Sequence, residues 1–333
     1  MKSQSAIKAG DAAGAVPPVT GSLTSEGPKL EPLAVLLLLT IGATLVYFYG
    51  FVPLFVRGAF ANGISSAAAW AWQAWTPAMN QEHSKLVPLI SLGLLWYHRD
   101  AIRKVPKQGS NAGLVFLAAG VVLFLLGARC LQPRFALASV PFVVYGTVLY
   151  LWGKHVARIV LFPCAFLIFM IPVAAIEQGT FRLQFIITSS IGFLSNLVGI
   201  HIQALGTTLT AADGSFNFEI AEGCSGIRSL TAMAMITTIF VHLTQDRFWK
   251  KIVIFGFSII FAIVGNIGRI FTVILVAKFI NPKLAAGIYH EYSGFVFFPI
   301  ALSAMFFFSK LISLNSSRPV HASDADASPK ADD

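Results

Sequence analysis

The chain has 333 residues, of which 56% are hydrophobic and only 12% charged, and its mean hydropathy is +0.73. A soluble domain carries about 25% charged residues, so this sequence cannot cover itself in water. Ordinary cytosolic enzymes, disulfide-rich secreted domains and collagen-like chains are excluded. The formal charge of +9 does not call for nucleic acid, because Lys and Arg fall in short groups between apolar runs, the positive-inside pattern of a membrane protein.

Residues 1–32 are rich in Ala, Gly, Pro and Ser without apolar periodicity, which predicts a disordered tail. Leu33 to Val56 is the first apolar run, and its 24 residues exceed the roughly 7–15 of a signal-peptide core. A retained transmembrane helix is expected. Trp70, Trp72 and Trp75 follow as expected interfacial anchors. Further runs cover Leu86–His98, Ala112–Ala128, Phe135–Trp152, Val156–Ile176, Phe181–Ile202, Ser225–Thr244, Ile252–Ile280 and Phe295–Leu314. Leu86–His98 is short for a span, which needs about 20 residues. The polar tail after Asn315 is again expected to be disordered.

Basic residues set the topology. Lys2, Lys8 and Lys29, the loop Arg99 to Lys107, Lys154 with Arg158, Arg247 to Lys251, and Lys310 with the C-terminal tail hold 15 of the 24 basic residues. They share one side if eight of the nine runs cross and Phe181–Ile202 does not. That run carries Arg182, Gln184, Thr188, Ser195 and Asn196, which suits an interfacial or buried helix. Both tails then lie in the cytoplasm. Gln203 to Ile227 contains no Lys or Arg and falls outside, with Gln203–Thr210 and Ser215–Ile220 predicting a β-hairpin around Ala-Asp-Gly. The expected fold is an all-α polytopic membrane protein with about eight transmembrane helices over 33–314, one additional interfacial or buried helix, and a short extracytoplasmic hairpin.

Three positions carry chemistry. Cys224 sits in Glu222-Gly223-Cys224-Ser225-Gly226-Ile227-Arg228, just before an apolar helix. With Cys224 or Ser225 as the cap, the partial positive charge of the helix start favours the thiolate, and Arg228 would share the face of Cys224. The same residues also fit close helix packing around a small apolar thiol. Arg269 interrupts an apolar helix in Gly265-Asn266-Ile267-Gly268-Arg269. An arginine there is costly and by default functional, although it can also snorkel to the outer headgroups. From Lys251, 18 residues at about 1.5 Å each place it about 27 Å across, near the outer boundary. His290 opens the last helix at the same level. The other cysteines, Cys130 and Cys164, give neither a disulfide framework nor a zinc site, and no metal or other cofactor is expected.

These motifs, Ala221 to Arg228, Asn266 to Arg269, and His290 followed by Gly294, together resemble the exosortase/archaeosortase family. The segment His83 to Ser91 with Trp96 is similar to that family's early histidine–proline helix. The resemblance is strongest over about 203–300. It implies a membrane cysteine transpeptidase-like enzyme with Cys224 as nucleophile, Arg269 as stabiliser of negative charge and His290 as general acid/base. Arg228 and Asn266 are implied as supporting residues. The implied partners are secreted proteins bearing a C-terminal sorting signal: a short motif of the Pro-Glu-Pro kind, a transmembrane helix and a basic tail. A lipid or polysaccharide acceptor is implied beside them, at the extracytoplasmic face of a prokaryotic membrane; the net charge of +9, unlike the acidic chains of salt-loving archaea, favours a bacterial inner membrane. The rival expectations are a membrane transporter, with Arg269 lining a path, and an accessory protein of surface-polysaccharide export.

Overall fold

In a computed structural model the structure describes residues 32–53, 55–56, 64–76, 81–172, 174–219 and 226–315. The expected tails, beyond Pro32 on one side and Asn315 on the other, and Cys224 lie outside the described residues. Helix α1, Pro32–Leu45, continues as a π-helical turn, Val46–Phe51. Its run of leucines has no polar side, as expected of a helix with lipid around it.

The next part of the chain is an apparatus of short pieces. Strands β1, Phe55–Val56, and β2, Ile64–Ser65, pair antiparallel, and Ser66 caps α2, Ala67–Ala74, by accepting a bond from the Ala69 amide at 3.3 Å. A 3₁₀ turn, Glu82–Leu86, runs into α3, Val87–Tyr97, where Pro88 in the first turn costs no backbone bond. Helix α4, Arg99–Lys104, follows. Of the expected tryptophan anchors only Trp72 is exposed, under the ammonium of Lys85 at 4.9 Å. Trp75 instead turns inward and donates its indole N–H to the Met170 carbonyl at 2.8 Å, because a buried indole needs an acceptor.

Helices α5, Ala112–Arg129, and α6, Pro133–Phe166, form the tightest pair. Gly113, Gly120 and Gly127 are all buried on the same stripe of α5. A Cβ on Gly120 would lie 2.5 Å from Val143 Cγ2, and one on Gly127 would lie 2.8 Å from the Ala136 amide nitrogen. Facing them from α6, a Cβ on Gly146 would reach 2.8 Å from the Leu117 nitrogen. Small residues thus bring the two backbones together, the usual solution where lipid offers no hydrophobic drive. α6 breaks at Gly153 (φ 80°, ψ −173°), a conformation open to glycine alone. The break lies where the sequence separates Phe135–Trp152 from Val156–Ile176. A second 3₁₀ turn, Leu167–Met170, ends it.

Helix α7, Ala174–Leu197, covers most of Phe181–Ile202, the run expected not to cross, but starts before it. Its Ile187 and Ile191 pack with Ile270 and Ile274 in one core, and its Thr188, fully buried, bonds back to the Gln184 carbonyl at 2.8 Å. The expected hairpin is a three-stranded meander: β3, Ile202–Leu205, β4, Thr208–Ala211, and β5, Asn217–Glu219, all antiparallel. The first expected strand, Gln203–Thr210, is itself folded in two, because Gly206 (φ 61°) allows a tight reversal in its middle. Leu209 and Phe216 bury the sheet against α7 and against Ile270 and Ile274 of the core.

Three long helices complete the chain: α8, Ile227–Thr244; α9, Phe248–Phe279; and, after a short α10, Pro282–Leu284, and a π turn, Ala285–Tyr289, α11, His290–Asn315. Met233, Ala262 and Ala301, one from each, meet in a shared core. Among the described residues five helices are long and apolar enough to cross a membrane: 112–129, 133–170, 227–244, 248–279 and 282–314. The protein is a multi-pass membrane protein. Of the eight crossings expected, the first run is a 14-residue helix continued by a π turn and α3 has only 11 residues, each too short by itself, and α6 carries two expected runs in one kinked helix. α7, expected not to cross, is not among the five.

Candidate functional site

The site is built where the starts of α8 and α11 meet the middle of α9. α8 does not begin as its sequence implies. Its cap is Gly226, at φ 77°, and the helix starts at Ile227. The cap is thus Gly226 and not Cys224 or Ser225, both of which lie outside the described residues. The reason lies across the interface: a Cβ on Gly226 would come within 2.6 Å of Asn266 Nδ2. Asn266, 4% exposed on α9, thus seats the start of α8, and only glycine fits both the left-handed backbone and the contact.

One turn further along α9 is Arg269. Its Nε–H donates to Ser293 Oγ at 3.1 Å, and its Nη2 donates to the His290 carbonyl at 3.0 Å. Ser293 donates in turn to the same carbonyl at 3.0 Å. An acceptor on α11 for each of two guanidinium edges fixes the half-buried cation against that helix. Hydrogen bonds to a charged group contribute about 1.5–3 kcal/mol each.

Arg269 forms part of the wall of an open cavity of about 420 Å³, which Gly226, Arg228, Glu82, His83 and Glu291 line together with the apolar Phe295 and Phe298. Arg228 Nε meets Glu82 Oε1 at 3.2 Å. Both side chains are more than a third exposed, so the pair adds only about 0.2–1 kcal/mol to stability, but it ties α8 to the turn before α3. His290 lines a second, more apolar cavity of about 250 Å³, with Leu209, Phe218 and Glu219 of the sheet and Ile270 and Ile274 of α9. The expected Arg269, Arg228, Asn266 and His290 thus gather at one end of the bundle, with Arg269 and His290 joined through the His290 carbonyl rather than the ring.

Glu82 and His83 were not among the candidate site residues of the sequence. They lie more than 140 positions before Arg228, and only the likeness of His83 to Ser91 to a family helix marks them. His83 is pushed below the ordinary imidazole range, first by burial; Glu82 opposes the shift and Arg228 adds to it. Cys130 is exposed at the end of α5, whereas Cys164 is buried within α6 among Val156 and Val160. Among the described residues no three His, Cys, Asp or Glu side chains come together as metal ligands.

Comparison with curated proteins and with solved structures gives no match. The family model Transmembrane exosortase (Exosortase_EpsH) matches residues 72–307, a stretch that begins in α2, ends within α11 and contains every residue of the cavity. The chain belongs to the transmembrane exosortase family.

Proposed function

We propose that this protein removes the C-terminal sorting signal of secreted proteins at a Cys224, Arg269 and His290 centre, through a thioester. The family is one of cysteine transpeptidase-like membrane enzymes acting on such signals. One observation carries the reading: a fixed cation, Arg269, stands in the wall of an open cavity that Gly226 also lines, two residues from Cys224 in the chain.

In this reading the Cys224 thiolate attacks the carbonyl carbon at the motif, forming a C–S bond and an oxyanion beside Arg269. A guanidinium already held by hydrogen bonds needs no reorganisation as that charge develops. The C–N bond then breaks, and His290 gives a proton to the departing amine. The thioester is resolved by a second nucleophile, water or a lipid or polysaccharide hydroxyl, which returns a proton to His290 as sulfur leaves. The catalytic part spans about 203–300, and the site faces outward from a bacterial inner membrane. There the transmembrane helix of a substrate would present its motif, while its basic tail stays on the cytoplasmic side.

The test is co-expression with secreted reporters ending in a Pro-Glu-Pro motif, an apolar helix and an Arg-rich tail, with the C-terminal masses followed. Loss of the tail with the native chain but not with Cys224→Ala is the expected result. Equal processing by both overturns the reading.

A further inference from the structure

The 82–86 turn faces the cavity, although the mechanism above makes no use of it. The turn is held from both sides. Ser84, fully buried, donates to the Phe169 carbonyl at 3.0 Å and to Gln81 Oε1 at 2.9 Å. The adjoining Val87 packs into a core with Phe166, Met170 and Met235. Ser91, one turn into α3, donates to the Pro163 carbonyl at 3.1 Å. His83 is thus carried on a braced element, and it shares the cavity with Arg269, Arg228 and Gly226. Its Nδ1 is buried and has no hydrogen-bond partner among the described residues. A buried ring nitrogen left this way calls for an explanation, and a catalytic role is one of the few.

We infer that His83 is an acid–base residue of this cavity, taking the proton of the attacking thiol. The inference rests on the reading of Cys224 as nucleophile. The Cys224 thiol proton passes to neutral His83, leaving thiolate and imidazolium. The thiolate attacks, and the amine leaves with the proton supplied by His290. When the second nucleophile gives its own proton to His290 and the tetrahedral species collapses, the departing sulfur regains its proton from His83. Both histidines and the thiol are then as they began.

The charged groups around the ring favour a base that is neutral at rest. Glu82 and Lys85 come from its own turn, Arg228 from α8, and Arg269 from α9 and Glu291 from α11 stand in the same cavity; the packed 167–170 turn adds none. Burial and the Arg228 charge hold His83 below its ordinary range, so it stays available as an acceptor at pH 7.

The experiment measures iodoacetamide labelling of Cys224 against pH in native membranes, read by mass spectrometry at the Cys224 peptide. The exposed Cys130 serves as an internal reference. In the native chain Cys224 should label at neutral pH with an acid inflection that Cys130 lacks. In His83→Asn and His83→Gln, which mimic the two ring nitrogens without titrating, that inflection should vanish while Cys130 is unchanged. Reporter processing should fall by about 10²–10⁴-fold. An ordinary thiol profile for Cys224 in the native chain, or an unaltered inflection in whichever variant accumulates, overturns the inference. Retained processing by Cys224→Ala would instead overturn the function proposed above, so the two failures are distinguishable.

Discussion

Arg269 and Ser293 are joined through a shared acceptor: Arg269 Nε lies 3.1 Å from Ser293 Oγ, and both side chains donate to the His290 carbonyl. The hydroxyl accepts with one lone pair and donates with its proton, so the three groups close a ring that fixes the plane of the guanidinium. A lysine at 269 supplies the charge but neither the plane nor the two edges. Arg269→Lys should lower reporter processing by about 10²–10³-fold, the usual cost of losing a preorganised charge stabiliser. Ser293→Ala should cost less, about tenfold for one hydrogen bond to a charged group. Equal rates for Arg269→Lys and the native chain would remove the geometry from the mechanism.

Gly226→Ala tests the seat of α8. The left-handed backbone at φ 77° costs an L-residue about 1–2 kcal/mol, and the new Cβ strikes the Asn266 amide. Thermal unfolding in detergent should show a lower midpoint for Gly226→Ala. Adding Asn266→Ala should recover part of the loss, because it removes the amide and leaves the backbone strain.

The two partners of the Glu82–Arg228 pair should act on His83 with opposite signs. The folded protein holds His83 below the ordinary value of about 6.5, so the acid limb of Cys224 labelling lies below that pH. Glu82 favours the charged ring and Arg228 disfavours it. Glu82→Gln should therefore move the limb further down and Arg228→Gln should move it up. Shifts of the same sign in both variants would mean that the limb does not report His83.

Asp213, in the turn between β4 and β5, pairs with Lys278 near the end of α9. That hydrogen bond, with others from the Ser215 hydroxyl and amide, holds its carboxyl well below the usual carboxylate range. A depressed acid group contributes stability above its unfolded value of about 3.9, and that contribution is lost as pH falls through the lower folded value. Lys278→Gln should bring the loss up toward the ordinary range. Hydrogen exchange over 208–219 at pH near 4 should then quicken in the variant and not in the native chain.

Topology can be mapped directly. A tag accepted between Lys104 and Asn111 should be reachable from the cytoplasm only, and one at Asp213 from the outside only. A tag at Asp213 reached from the cytoplasm would put the cavity on the wrong side for a secreted substrate.

Much of this arrangement is legible in the sequence. Arg269 stands out because an arginine within an apolar helix has to be explained, and the apolar runs mark the long helices. The start of α8 is not legible, because the cap depends on Asn266, some 40 positions away, and local rules favour Ser225. The third strand is hidden by loose alternation running across Gly206. Glu82 and His83 are missed for a different reason. Their role arises only when the short turn is braced against 167–170, and no local spacing announces a contact made at that distance.

The glycine stripe of α5 fixes more than proximity. With Gly113, Gly120 and Gly127 seven residues apart against α6, sliding α5 by one position would drive leucine, valine or alanine into a backbone that leaves no room for a side chain. The pair therefore has one register and cannot ratchet. α5 and the first half of α6 behave as a single plank, one rigid piece in any movement of the bundle.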